Sequence, residues 1–258
     1  MKIAVEGIIG SNKTILLNEL NTVAQVEITT HADINKPWYN EMVKGANHAV
    51  LALQFQHLLN HSHIKTNGNM ICKGSIFSVY YVYCAMYYHL KFLSDEEFKL
   101  LGDYYKHFLS EIEPINAIIY IKTPVRVAYQ RIKDRGFSQE VNIDIKLLHN
   151  LNNLYGNVFQ ELSHLFNIKI CRIDGTLPLP KLLKSVRRAI FRITRHPIRY
   201  QSSPLDITLR IHTDSYRKAY WELTDRAIDK FRKLEWKFYR QLCNQEEDEL
   251  IISDSESN

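Results

Sequence analysis

Eight consecutive residues near the start of the chain, Gly7-Ile8-Ile9-Gly10-Ser11-Asn12-Lys13-Thr14, have the types and spacing to hold a phosphate group. Against the phosphate-loop pattern GxxxxGK[ST], Gly7, Lys13 and Thr14 stand in place, while Asn12 takes the position of the second glycine. In such a loop the backbone N–H groups curl around phosphate oxygens at a helix N-terminus. The lysine neutralises the outer phosphates, and the threonine hydroxyl ligates magnesium. Lys13 and Thr14 take those last two tasks here, and Gly7, Gly10, Ser11 and Asn12 form the backbone cradle. Asparagine is among the few residues besides glycine that tolerate a left-handed backbone, so Asn12 weakens the loop without excluding it.

A loop of this kind works only between a strand that fixes its start and a helix that supplies its N-terminus. Lys2 to Glu6 reads as a buried strand, and Ile15 to Asn21 has the pattern of a helix. Further candidate strands lie at Val26 to Ile28, Asn69 to Cys72, Ala117 to Ile121 and Ile168 to Ile173. Between them helices are predicted over Ala46 to His61, from Ser75 onward, from Ser94 towards Leu109, over Val125 to Ile132 and over Ile143 to Leu165. Ser94 with Glu97 three residues on is a capping-box signature. Strands alternating with helices imply an α/β fold with a mostly parallel sheet covered on both faces.

The composition is that of a globular protein: 258 residues, 45% hydrophobic, 24% charged. A net charge of +5, mild and unevenly spread, is only weak evidence for a nucleic-acid or membrane partner, and neither is expected. Cys72, Cys84, Cys171 and Cys243 form no CxxC pair, which points to the cytoplasm or another reducing compartment and away from a zinc ribbon. The N-terminus carries no signal-peptide pattern. The uncharged run Gly74 to Leu90 holds five tyrosines and a histidine and reads as a buried helix, not a membrane span. His57, His61 and His63 have no Cys or acid beside them to complete a metal site and read as a polar helix end.

Several stretches, in order, resemble the deoxyribonucleoside kinase family over about residues 1 to 175. Ile3-Ala4-Val5-Glu6-Gly7 with Ile9-Gly10-Ser11 is similar to its phosphate loop, Leu53-Gln54-Phe55-Gln56 to its base-gripping helix, and Ser75-Ile76-Phe77-Ser78 to the tail of its "ERSIFS"-type motif. Ile118-Ile119-Tyr120-Ile121 with Val127 to Ile132 resembles the approach to its lid, and Arg131 to Glu140 the lid itself. The resemblance implies a three-layer phosphate-loop kinase fold with a central parallel sheet, using ATP and Mg2+ on a nucleoside. It also implies roles: Gln56 grips the base beside Phe55, Tyr83 stacks on it, and Val79 and Trp38 line the pocket. Glu140 lies near the sugar 3′-hydroxyl, and Arg131 and Arg135 meet phosphate oxygens, which suit a planar guanidinium fork.

The departures fall on the chemistry. The family's acid and arginine before Ser75 are Lys73 and Gly74 here, and neither can ligate magnesium or steady a hydroxyl. Its general base aligns with Ala32; Asp33 beside it serves if the loop shifts by one residue, which Pro37 permits. In the lid, Phe137 and Gln139 replace an arginine and a glutamate. A positioned base is worth about 10² to 10⁴ in rate and a phosphoryl-stabilising arginine about 10³ or more. Two expectations therefore stand: an ATP-dependent deoxynucleoside kinase with Asp33 as base, or a kinase-derived protein that binds without catalysing.

Residues 1 to 200 are expected to form the kinase-like domain, 201 to 244 a helical extension and 245 to 258 an acidic, serine-rich tail. Seven basic residues between Lys181 and Arg199 accompany an apolar face of Leu182, Val186, Ile190 and Ile193, which should dock on the sheet. Beyond Pro204, an apolar stripe from Tyr216 to Leu242 describes a helix of about eight turns. It either packs on the core or pairs with a second chain as a homodimer. The tail reads as disordered, with Ser253, Ser255 and Ser257 open to phosphorylation. The abundance of Asn, Ile, Lys and Tyr fits an AT-rich genome such as that of a virus.

Overall fold

Strand β1 (Lys2–Glu6) is buried along its whole length because it occupies the middle of a five-stranded sheet. The computed structural model describes residues 1–21, 27–29, 38, 41–42, 46–64, 69–137, 140, 143–165 and 168–195. β3 (Met70–Lys73) and β4 (Ile115–Lys122) flank β1; β2 (Glu27–Thr29) and β5 (Lys169–Asp174) lie outside them, in the order β2-β3-β1-β4-β5. Every pairing is parallel, as a sheet built by helical crossovers requires. Val5 lies opposite Lys73 on one side and Ile119 on the other. The C-terminal ends of three central strands, and the loops at Gly7, Gly74 and Thr123, therefore share one edge, the edge where such sheets bind ligands.

The two faces of the sheet are covered by different chemistry. On one, Ile3, Val5, Ala117 and Ile119 pack against Leu16, Leu17 and Leu20 of α1 (Lys13–Asn21) and against Leu182, Val186 and Ile193 of α7 (Leu179–Arg195). The expected docking of that last apolar face is observed, with Lys181, Lys184, Arg187, Arg188 and Arg192 left exposed. On the other face Tyr120 lies under Tyr155 and Phe159 of α6 (Ile145–Leu165), with ring centroids 5.8 and 4.9 Å away. Those are the three layers the alternation implies.

Helices α2 (Asn47–Ser62), α4 (Asp95–Glu111) and α5 (Val125–Arg135) match their sequence patterns within two or three residues. The capping box of α4 is formed: Ser94 Oγ accepts from the Glu97 N–H at 3.2 Å, and the Ser94 N–H donates to Glu97 Oε2 at 2.8 Å. Helix α3, residues 76–89, differs from expectation. It starts as α-helix at Ile76–Ser78, widens to a π-helix over Val79–Cys84 and resumes as α-helix at Ala85–His89. No described helix is long and apolar enough to cross a membrane. The chain divides into units Met1–Ile207 and Thr208–Asn258, and all described residues belong to the first. The predicted second helix and acidic tail lie outside the described residues.

Candidate functional site

The phosphate loop has the backbone its residue types suggested. Asn12 sits at φ 62°, in the left-handed region, and Gly10 at φ 82°. A Cβ at Gly10 would stand 2.4 Å from the Ala128 carbonyl oxygen, so only glycine lets the loop lie this close to α5. The Asn12 carbonyl accepts from the Leu16 N–H at 3.0 Å, which starts α1 directly behind the loop. The Lys13 ammonium folds back over it, donating to Gly7 O at 2.5 Å, Ile8 O at 2.9 Å and Ser11 Oγ at 3.2 Å. Burial pulls its pKa down to about 7; the Glu6 carboxylate opposes this, while the Lys73 and Arg135 cations add to it. Ser11 is buried, and Thr14 is exposed on the first turn of α1.

Glu6 closes β1 immediately before the loop and has no exposed surface. Ser75 Oγ donates to its Oε1 at 2.5 Å and Tyr155 OH to its Oε2 at 3.2 Å. Burial raises its pKa, against the hydrogen bonds of Ser75 and Ser78, the Lys13 charge and the Tyr155 hydroxyl. Of the described acids, Glu6 is the one whose charge acts on Lys13.

At the expected base pocket, Val79 is buried and Tyr83 half-buried, both on the π-helical stretch of α3. Tyr83 meets Tyr155 edge-on at 6.4 Å. Gln56, on α2, donates from Nε2 to Asn60 Oδ1 at 2.9 Å. Phe55 turns to α4, edge-on to Tyr104 at 4.7 Å and tilted against Phe108 at 6.2 Å, so it packs α2 on α4. Trp38 is 37% exposed. Asp33, the expected base, and Gln139 lie outside the described residues.

In the expected lid segment, Arg135 is bound to Glu140: its Nε donates to Oε2 at 2.8 Å and its Nη2 lies 2.5 Å from the same oxygen. Its guanidinium also covers the Phe137 ring at 5.1 Å. Arg131 is half-buried, with Nη1 closed to water and without a hydrogen-bond partner. That nitrogen is a donor awaiting an acceptor. Gly74 has φ 79°, and a Cβ there would meet nothing closer than Ser78 Oγ at 3.8 Å, with Glu6 Oε2 and His61 Nε2 at 4.0 Å. The missing side chain leaves room beside Glu6. His57 is held down to about 4 by burial and by the Lys73 charge. Among the described residues no cluster of His, Cys, Asp or Glu could hold a metal ion by itself.

Sequence reasoning missed Glu6 and Tyr155. Glu6 did leave a signal, an ionisable residue inside an apolar strand, whereas Tyr155 reads like any core aromatic of an amphipathic helix.

Comparison with known proteins bears on this arrangement. Residues 3–188 match the deoxynucleoside kinase family. The chain is similar to the probable deoxycytidine kinase of fowlpox virus (strain NVSL), 26% identical over 113 residues that make up 43% of this chain and 48% of that protein. The chain thus spans about half the length of that relative. It is also 24% identical over 168 residues to the mitochondrial thymidine kinase 2 of Homo sapiens, covering 59% of this chain and 62% of that one. In fold it is similar to a deoxyadenosine kinase from M. mycoides, solved with dCMP and dCDP, at TM-score 0.66 and 21% identity over 75% of this chain and 100% of that one.

Proposed function

The chain belongs to the deoxynucleoside kinase family, and from that premise we propose that it transfers the γ-phosphoryl group of ATP to the 5′-hydroxyl of a deoxynucleoside. The observation that carries this reading is the cradle of Gly7 to Lys13, with Asn12 and Gly10 in positive φ against α5 and the α1 N-terminus behind it. Backbone N–H groups arranged this way suit a polyphosphate. Lys13 would exchange an internal carbonyl for a phosphate oxygen, and Arg131 would give its unpartnered Nη1 to another. Bound magnesium would supply charge neutralisation, held by phosphate oxygens, water and the Thr14 hydroxyl. Val79, Tyr83, Gln56, Phe55 and Trp38 would surround the base, Glu140 the sugar, with Arg135 at the transferring group and Asp33 as proton acceptor.

A second reading has its own support. Lys73 and Gly74 supply neither acid nor arginine, and Arg135 and Glu140 are engaged with each other. These features favour a protein that binds nucleotide and nucleoside without fast transfer and acts through the segment after Pro204. Transfer from radiolabelled ATP to the four deoxynucleosides with magnesium, run beside Lys13→Ala, separates the two. Label transfer that Lys13→Ala abolishes is expected; nucleotide binding with no transfer to any of the four overturns the first reading.

A further inference from the structure

This inference rests on the proposed function in one respect, that the acceptor is a nucleoside. Helix α3 carries Val79 and Tyr83, and it is tied at two points. At its N-cap, Ser75 gives its hydroxyl proton to Glu6 Oε1 at 2.5 Å. Two turns on, Tyr83 stands edge-on to Tyr155 with ring centroids 6.4 Å apart, and the two hydroxyls interact. Tyr155 in turn gives its hydroxyl proton to Glu6 Oε2 at 3.2 Å. One carboxylate at the foot of the phosphate loop therefore holds both ends of the base-facing stretch.

The π-helix Val79–Cys84 lies within that span. A π turn takes one residue more than an α turn, so it sets the direction in which the side chains after it leave the helix. Tyr155 is a rigid anchor for that direction. It is 1% exposed, its ring lies 5.8 Å from Tyr120 and 5.3 Å from Phe159, and burial keeps its phenol protonated.

We infer that Tyr155 is a positioning residue of the acceptor site: by tying Tyr83 to Glu6 it fixes the rotation of α3, and with it the base selection at Val79 and Tyr83. Buried as it is, it acts through Tyr83 and not by contact with the substrate.

The test uses the full chain as wild type, Tyr155→Phe and Tyr83→Phe. Calorimetric titration measures each of the four deoxynucleosides, a fluorescent non-hydrolysable ATP analogue reports the phosphate end, and melting temperature reports the fold. Phenylalanine keeps the ring packing and removes only the hydroxyl. Tyr155→Phe is expected to weaken the preferred deoxynucleoside by about five- to tenfold and to narrow the ranking among the four, with analogue binding unchanged within about twofold. Tyr83→Phe cuts the same link from its other end and should narrow the ranking likewise. An unchanged ranking in both variants, with only a lowered melting temperature, assigns Tyr155 to stability and overturns the inference. Equal loss at the analogue overturns it too, since the effect is then not confined to the acceptor. A wild-type chain that binds the analogue but none of the four deoxynucleosides removes the acceptor reading, and the inference falls with it.

Discussion

Arg135 and Glu140, expected to serve the transferring phosphoryl group and the sugar, hold each other: Nε to Oε2 at 2.8 Å and Nη2 to the same oxygen at 2.5 Å. Their side chains are 29% and 16% exposed, so the pair is only partly screened by water. Both contacts use one carboxylate oxygen, so the pair holds the Arg135 charge against Glu140 while Oε1 stays outside it. Glu140→Gln keeps an acceptor for a sugar hydroxyl but removes the charge that holds Arg135. Binding of an ATP analogue should then tighten by about two- to fivefold, the scale of an exposed-to-intermediate ion pair, while deoxynucleoside affinity falls. Separate titrations of the two ligands measure this; a parallel loss of both affinities would show that the pair does not compete with substrates.

The loop backbone makes a second prediction, with opposite signs at two positions. Gly10→Ala places a methyl 2.4 Å from a main-chain oxygen at φ 82°, where neither partner can turn aside. It should cost at least about 2 kcal/mol and the nucleotide site with it. Asn12→Gly relaxes a left-handed asparagine and should be neutral or stabilising by up to about 1 kcal/mol. Chemical denaturation of both variants decides it; equal destabilisation would mean that Asn12 contributes a side-chain contact the loop depends on.

What was legible follows from how far apart the responsible residues lie. The strand, loop and helix from Lys2 to Asn21 are local, so their types alone gave the cradle, and the asparagine at φ 62° followed from which residues tolerate that conformation. The buried run in α3 was visible as composition, but its π-helical turn was not, because Val79 to Cys84 is uncharged and bulky whichever way it winds. Glu6 meets partners 69 and 149 residues away, and no spacing rule reaches that distance. Phe55 and Gln56 are neighbours in a motif yet leave α2 in different directions, one to Tyr104 and one to Asn60.

Gly74 separates a conformational effect from a steric one. Its φ of 79° disfavours any side chain, yet the nearest atom to a Cβ is 3.8 Å away. Gly74→Ala and Gly74→Arg should therefore cost similar amounts, about 1 to 2 kcal/mol each, set by the backbone alone. Thermal and denaturant unfolding measure both. An arginine far costlier than the alanine would show that the space beside Glu6 is closed to longer side chains.

His57 makes acid a selective stress. Its pKa is about 4 in the fold against an ordinary 6.5, because burial and the Lys73 charge disfavour the imidazolium. Between those values the unfolded chain binds the proton and the folded chain does not, so stability falls as the pH drops from 6.5 to 4. The slope from this group approaches about 1.4 kcal/mol per pH unit. Glu6, whose pKa is raised by burial, has the opposite sign: folding favours its proton, so acid stabilises that group and offsets part of the loss. Comparing wild type with His57→Gln removes every term but the histidine. The variant should lose less stability than wild type over that interval, read as the difference between denaturation midpoints at pH 7 and pH 5. Parallel pH curves for the two proteins would show that His57 is protonated as readily in the fold as out of it.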